Sequence, residues 1–187
     1  MHSGANGNKH IQHEILVCGG SNTIINGLCA WLLMKGGGNL QWSGDHSFVT
    51  DVLVTAFLLP FIVGCIVIPV QRSKLKNGTL QPINLGPSSF MQTVADRFPA
   101  GTAKSAFLFG LIGLLIIAPL TLAGLYLVDV HTISPEYYAI FKGVWAGLMA
   151  SILVVPMVLI ALRENTPTST TATHGSKPCR HSTKKLV

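Results

Sequence analysis

The chain has 187 residues, 49% of them hydrophobic and only 11% charged, and its mean hydropathy is +0.50. Soluble domains carry about 25% charged residues, so the composition points away from a soluble enzyme and toward a small membrane protein with no large soluble domain. The net charge of +6 sits in loops and tails beside apolar runs, which favours anionic lipid headgroups over nucleic acid as its counterpart.

Residues 1–12 read as a polar cytoplasmic tail rich in Gly, Asn and His. The first span is expected over 13–35, closing at Lys35 and the breaker Gly36-Gly37-Gly38. The preceding segment lacks a small-residue cleavage site, so this span is read as retained and not as a signal peptide. Within it Glu14, Cys18, Asn22 and Asn26 recur every fourth residue, which places them on one helical face. Lipid cannot satisfy amide donors and acceptors, so this stripe is expected to face protein, water or ligand, with the later helices assembled against it.

The second span is expected over 48–70. It carries Asp51 and Thr55 one turn apart, Pro60 in mid-helix and Pro69 near its end. The connection 71–103 contains Pro87-Ser88-Ser89 followed by Phe90, Met91, Val94 and Phe98 on one face, a pattern that predicts a short amphipathic interfacial helix near 88–98. The third span, about 104–128, has no charge between Phe107 and Val128 and is interrupted by Pro119. A tight turn follows, then Ser134 as a helix cap, Pro135 at the first helical position and Glu136 in the first turn of a fourth span over 135–162. Residues 163–187 read as a disordered, basic, Ser/Thr-rich cytoplasmic tail.

These elements define the expected fold: an all-α integral membrane protein with a four-span membrane domain over 13–162. Orientation follows from Lys and Arg. They gather in the 71–104 connection and the C-terminal tail and are missing from loops 36–47 and 129–134, which predicts both termini in the cytoplasm. Trp31, Trp42, Tyr126, Tyr137 and Tyr138 then fall together at the outer interface, where amphipathic rings prefer to sit. In that orientation the Asn77-Gly78-Thr79 sequon is cytoplasmic and unmodified.

Helix association in lipid depends on close approach and polar contacts. The fourth span offers Ala139, Gly143, Gly147 and Ser151 at four-residue intervals. The third offers Ala106, Gly110 and Gly113, and the first offers Gly19, Thr23 and Gly27. All three sets are expected to be packing surfaces.

Chemistry is expected to centre on Asp51, because a carboxylate within a span needs a partner or a task. Depth along the helices brings Lys142, two turns into the fourth span, to the level of Asp51 in the outer third. Asn26 falls near the same level and Asn22 somewhat deeper. Asp51, Lys142, Asn26, Asn22 and Thr55 could thus line one outward-facing polar pocket, with Glu14 a further intramembrane acid on the stripe. The alternative is a structural ion pair with interhelical amide bonds.

No cofactor is expected. All seven histidines fall in tails, loops or span ends, which argues against haem ligation from within the helices, and a surface metal patch of Asp45-His46 with Asp129 and His131 has little behind it. Cys18, Cys29, Cys65 and Cys179 show no metal or redox spacing. No nucleophile or phosphate-loop motif appears, so an enzyme is the less favoured class. The leading expectation is a small permease-like transporter of a solute or ion in a bacterial inner membrane, expected to be homo-oligomeric. The alternative is a non-catalytic accessory, assembly or regulatory subunit that binds a membrane protein partner.

Overall fold

A computed structural model of the chain describes residues 3–44, 47–80, 97–99 and 101–163, with side chains from residue 9 onward. Among these residues four helices are long and apolar enough to cross a bilayer: α1 (Ser3–Met34), α2 (Phe48–Lys76), α3 (Thr102–Leu127) and α4 (Pro135–Leu162). The protein is an all-α, multi-pass membrane protein by the length and composition of these helices. The interfacial helix expected near 88–98 lies outside the described residues except at Arg97 and Phe98, as do the tail beyond Arg163 and the residues Asp45 and His46.

Two boundaries differ from expectation. α1 begins at Ser3, so the segment read as a tail is helical, and its inner part is tied down by His10 and Glu14 contacts to α2. α2 runs past residue 70 to Lys76, placing two lysines in its last turn and Asp51 in its first. Both charge placements oppose the helix dipole and favour the ends where they stand. Ser47 caps α2, its hydroxyl accepting from the Thr50 N–H at 3.5 Å. Ser134 stands at the cap position of α4, but its hydroxyl makes no capping bond.

The centre of the bundle is α4, not the polar face of α1. α4 is the most covered of the four helices and α1 the least. α1 packs along one face of α4, α2 packs along another, and α3 rests on α2. The reason lies in the small residues of α4. A Cβ on Gly147 would overlap the Thr23 hydroxyl and come within 2.9 Å of the Gly19 carbonyl oxygen. A Cβ on Gly143 would meet the Thr23 carbonyl oxygen at 2.8 Å, and one on Gly19 would overlap the Ser151 hydroxyl. The two backbones touch along this seam, which is how helices gain dispersion energy where lipid removes the hydrophobic drive. On its other side α4 lends Ala146, Met149, Ala150, Leu153 and Met157 to a core shared with Leu59 and Val63 of α2 and Phe109 of α3.

α3 and α2 approach through Gly110 and Gly113. A Cβ on Gly110 would press on the Phe57 ring and carbonyl at about 3.0 Å, and one on Gly113 would overlap the Ala56 carbonyl oxygen. From Gly113 to Ile117 α3 widens into a π-turn just before Pro119. Proline has no N–H to continue the α-helical ladder, and an inserted residue of this kind is one way a helix passes such a gap. The Thr121 hydroxyl donates to the Ile117 carbonyl at 2.8 Å and accepts from the Trp145 indole N–H of α4 at 2.9 Å. Polar groups near the break are thereby partnered and α3 is tied to α4.

At one end of the bundle two short strands, β1 (Leu40–Gln41) and β2 (Thr132–Ile133), pair antiparallel. The α1–α2 and α3–α4 connections therefore emerge on the same side. Trp42 packs edge-on against Phe48 (centroids 5.3 Å apart) and Tyr126 (6.0 Å), and Phe48 lies against Tyr138. Trp42, Tyr126 and Tyr138 thus share one end of the molecule with the ribbon, while Tyr137 is exposed there.

Candidate functional site

α2 presents Asp51 from its first turn, where the unpaired N–H groups and dipole of a helix start favour a carboxylate. α4 presents Tyr138 and Lys142, four residues apart and so on one face. Lys142 Nζ lies 2.7 Å from Asp51 Oδ1 and 2.6 Å from Oδ2, and the Tyr138 hydroxyl donates to Oδ2. The side chains of Lys142 and Asp51 are 10% and 27% exposed, so the pair sits in the wall of the bundle with the carboxylate nearer the surface. Tyr138 is buried against Phe48 and Phe141. Thr55 is buried one turn further along α2. An open cavity of about 390 Å³ runs past the carboxylate, lined by Gly44, Ser47, Thr50, Asp51 and Val54.

Asn22 and Asn26 are not joined to this cluster by a hydrogen bond. The Asn22 side-chain amide donates to the Cys18 carbonyl at 2.8 Å and the Asn26 amide to the Asn22 carbonyl at 3.0 Å. Ser21 and Thr23 likewise turn back on carbonyls of α1. A polar side chain in a helix can reach the carbonyl one turn earlier, so part of the stripe's hydrogen-bonding need is met without any partner. Both asparagines lie half-buried on α1, whose main packing partner is α4.

Glu14 stands at the opposite end of the molecule. Its carboxylate is 2.9 Å from Lys74 Nζ and 3.6 Å from His10 Nε2, and His10 Nε2 lies 2.9 Å from Gln71 Oε1. Gln71 is 0% exposed, and its amide nitrogen has no hydrogen-bond partner among the described residues. Asp51 and Gln71 are separated by twenty residues of α2, or about 30 Å at 1.5 Å per residue. That is the thickness of a hydrocarbon core. The two polar clusters thus stand about one hydrocarbon thickness apart along α2, with mostly apolar residues between them.

Tyr138 was legible in the sequence only as an interfacial aromatic. Its position one turn before Lys142 is the signal that would have joined it to the pair. At the ribbon end Asp129 and His131 pair at 2.9 Å on the exposed surface, and no group of three or more metal-ligating side chains occurs among the described residues. The cysteines at 18, 29 and 65 are free thiols. Comparison with known proteins finds no matching family, no matching curated protein and no matching solved structure. What the fold and the site define is a class, a multi-pass membrane protein with four membrane-length helices among the described residues and an Asp–Lys–Tyr cluster at one end of the bundle.

Proposed function

We propose that this chain is a small, non-catalytic membrane subunit, embedded in a bacterial inner membrane with both ends in the cytoplasm. The observation that carries the proposal is the state of Asp51. Both of its oxygens accept from Lys142, and one also accepts from Tyr138. A carboxylate so occupied has little left to offer a solute or a cation. What it does well is fix α2 against α4, because a charge pair away from bulk water holds only when the geometry is good. A second feature supports a partner. α1 is both the least apolar and the least covered of the four helices, and a weakly apolar helix is poorly matched to lipid on all its open sides. A neighbouring membrane protein or a second copy of the chain would improve that match.

A permease-like transporter is the second reading, and one observation favours it: Asp51 forms part of the wall of an open cavity, beside the hydroxyl-bearing Ser47 and Thr50. The two readings separate in a double replacement. If the pair is structural, Lys142→Met strands a charge and destabilises the protein, and Asp51→Leu combined with Lys142→Met recovers most of the loss in melting temperature and phenotype. If Asp51 serves a solute, the double variant is stable but inactive, and Asp51→Asn alone is folded and inactive. A stable, inactive double variant would reject the subunit proposal.

A further inference from the structure

We infer that the ribbon-end half of α3, Ala118–Leu127, is a hinged flap that turns about the π-turn and is held shut by the Trp145–Thr121 hydrogen bond. When it swings out, an acyl chain of the bilayer takes its place against Phe141 and Trp145. The inference does not depend on what Asp51 does. Three observations carry it, all on described residues.

The first is a change of packing at the turn. Before it, Thr102–Ile112 buries Ser105, Ala106, Phe109 and Gly110. Gly113 then rests so closely on α2 that a Cβ would overlap the Ala56 carbonyl oxygen. After the turn, Ala118 is the only buried residue as far as Leu127. Leu120 is 69% exposed and Leu127 82%, and a Cβ on Gly124 would meet nothing within 4 Å. The helix is pinned up to Gly113 and loose beyond it, and a segment with few buried contacts opens at low cost.

The second is a weakened backbone ladder at the same place. The Ala118 N–H donates to the Gly113 carbonyl, five residues back, and Pro119 has no N–H to offer the Leu115 carbonyl. A wide turn beside a missing bond bends more readily than an unbroken helix.

The third is a latch over an apolar wall. The Trp145 indole N–H donates to the Thr121 hydroxyl at 2.9 Å, the one hydrogen bond from this half of α3 to another helix among the described residues. Beneath it, Ala118 and Leu122 lie with Val52 and Ala56 of α2 and with Phe141 and Trp145 of α4. The Phe141 and Trp145 rings are stacked 13° from parallel, their centroids 6.3 Å apart. Lipid tails are as apolar as leucine, so an acyl chain replaces Leu122 on this wall at little loss.

The test uses the full chain in lipid vesicles. Spin labels are placed in pairs at exposed positions, Leu120→Cys with Ile140→Cys and Phe107→Cys with Ile152→Cys, after Cys18→Ala, Cys29→Ser, Cys65→Ala and Cys179→Ser. The first pair should show two distance populations and the second pair one. Thr121→Val, which removes the latch, should enlarge the more open population. Pro119→Ala, which restores an N–H, should shrink it. Tryptophan quenching by dibrominated phosphatidylcholine, read on the unlabelled chain, should rise in Thr121→Val and fall in Pro119→Ala. It also serves if the labelled chain does not fold. A single population at both pairs would overturn the hinge, as would distances and quenching that neither variant alters. A larger open population in Thr121→Val without added quenching would overturn the acyl chain as occupant.

Discussion

Tyr138 shows how much one hydroxyl contributes to a buried charge pair. Its ring is held by Phe48 and Phe141, so the hydroxyl is delivered to Asp51 with little freedom left to lose. A hydrogen bond to a charged group contributes roughly 1.5–3 kcal/mol, and the partial exposure of Asp51 places this one toward the lower end. Tyr138→Phe should therefore lower stability by about 1.5 kcal/mol while leaving the ion pair with Lys142 in place. Chemical denaturation in detergent measures it. A loss as large as that of Lys142→Met would mean that the hydroxyl, and not the lysine, holds the carboxylate. The asparagines illustrate the opposite outcome at the same scale. Asn22 and Asn26 have the composition of an interhelical contact, yet their amide donors are used within α1.

At the scale of the helix, contact between α1 and α4 depends on side chains that are missing. Gly147 and Gly20 are both helical glycines, but Gly147 is pressed on Thr23 and Gly19, whereas nothing lies within 4 Å of a Cβ placed on Gly20. Gly147→Leu should force the helices apart and destabilise the protein by at least the 1–3 kcal/mol typical of overpacking, on the order of 3 kcal/mol. Gly20→Leu should be neutral or slightly stabilising, since leucine is a better helix former and suits lipid. Melting temperatures of the two variants, read side by side, check this. Equal losses would show that glycine in α1 and α4 serves the helices themselves and not the seam between them. α3 carries its own lesson. Pro119 marks the break in sequence, but the π-turn before it and the Thr121–Trp145 tie are consequences of packing on α2 and α4.

At the scale of the molecule, the ribbon between Leu40–Gln41 and Thr132–Ile133 puts two connections on one side, and the expectation from the Lys and Arg bias is that this side is the exterior. Reporter fusions at residues 40 and 132 should read outside and a fusion at 85 inside. Fusions at 40 and 132 that disagree would break the four-crossing topology, and a uniform inversion would defeat only the orientation.

The sequence alone determined the four membrane-length helices found among the described residues, though not where α1 begins or α2 ends, because an apolar run of some twenty residues is a local property that length and composition decide. It also brought Asp51 and Lys142 to one depth, since rise per residue is fixed. Its pattern of small residues marked the faces of α1 and α4 that meet. The tertiary structure alone decided which helix stands at the centre, because that depends on how Gly143 and Gly147 let one backbone reach another. It alone turned Tyr138 from an interfacial ring into a ligand of Asp51 and sent Glu14 to a separate cluster with Lys74 at the far boundary. It alone seated Arg72 on Thr102, thirty positions along the chain. Pairings of that kind join residues distant in sequence, and periodicity within one helix carries no information about the rotation of the next.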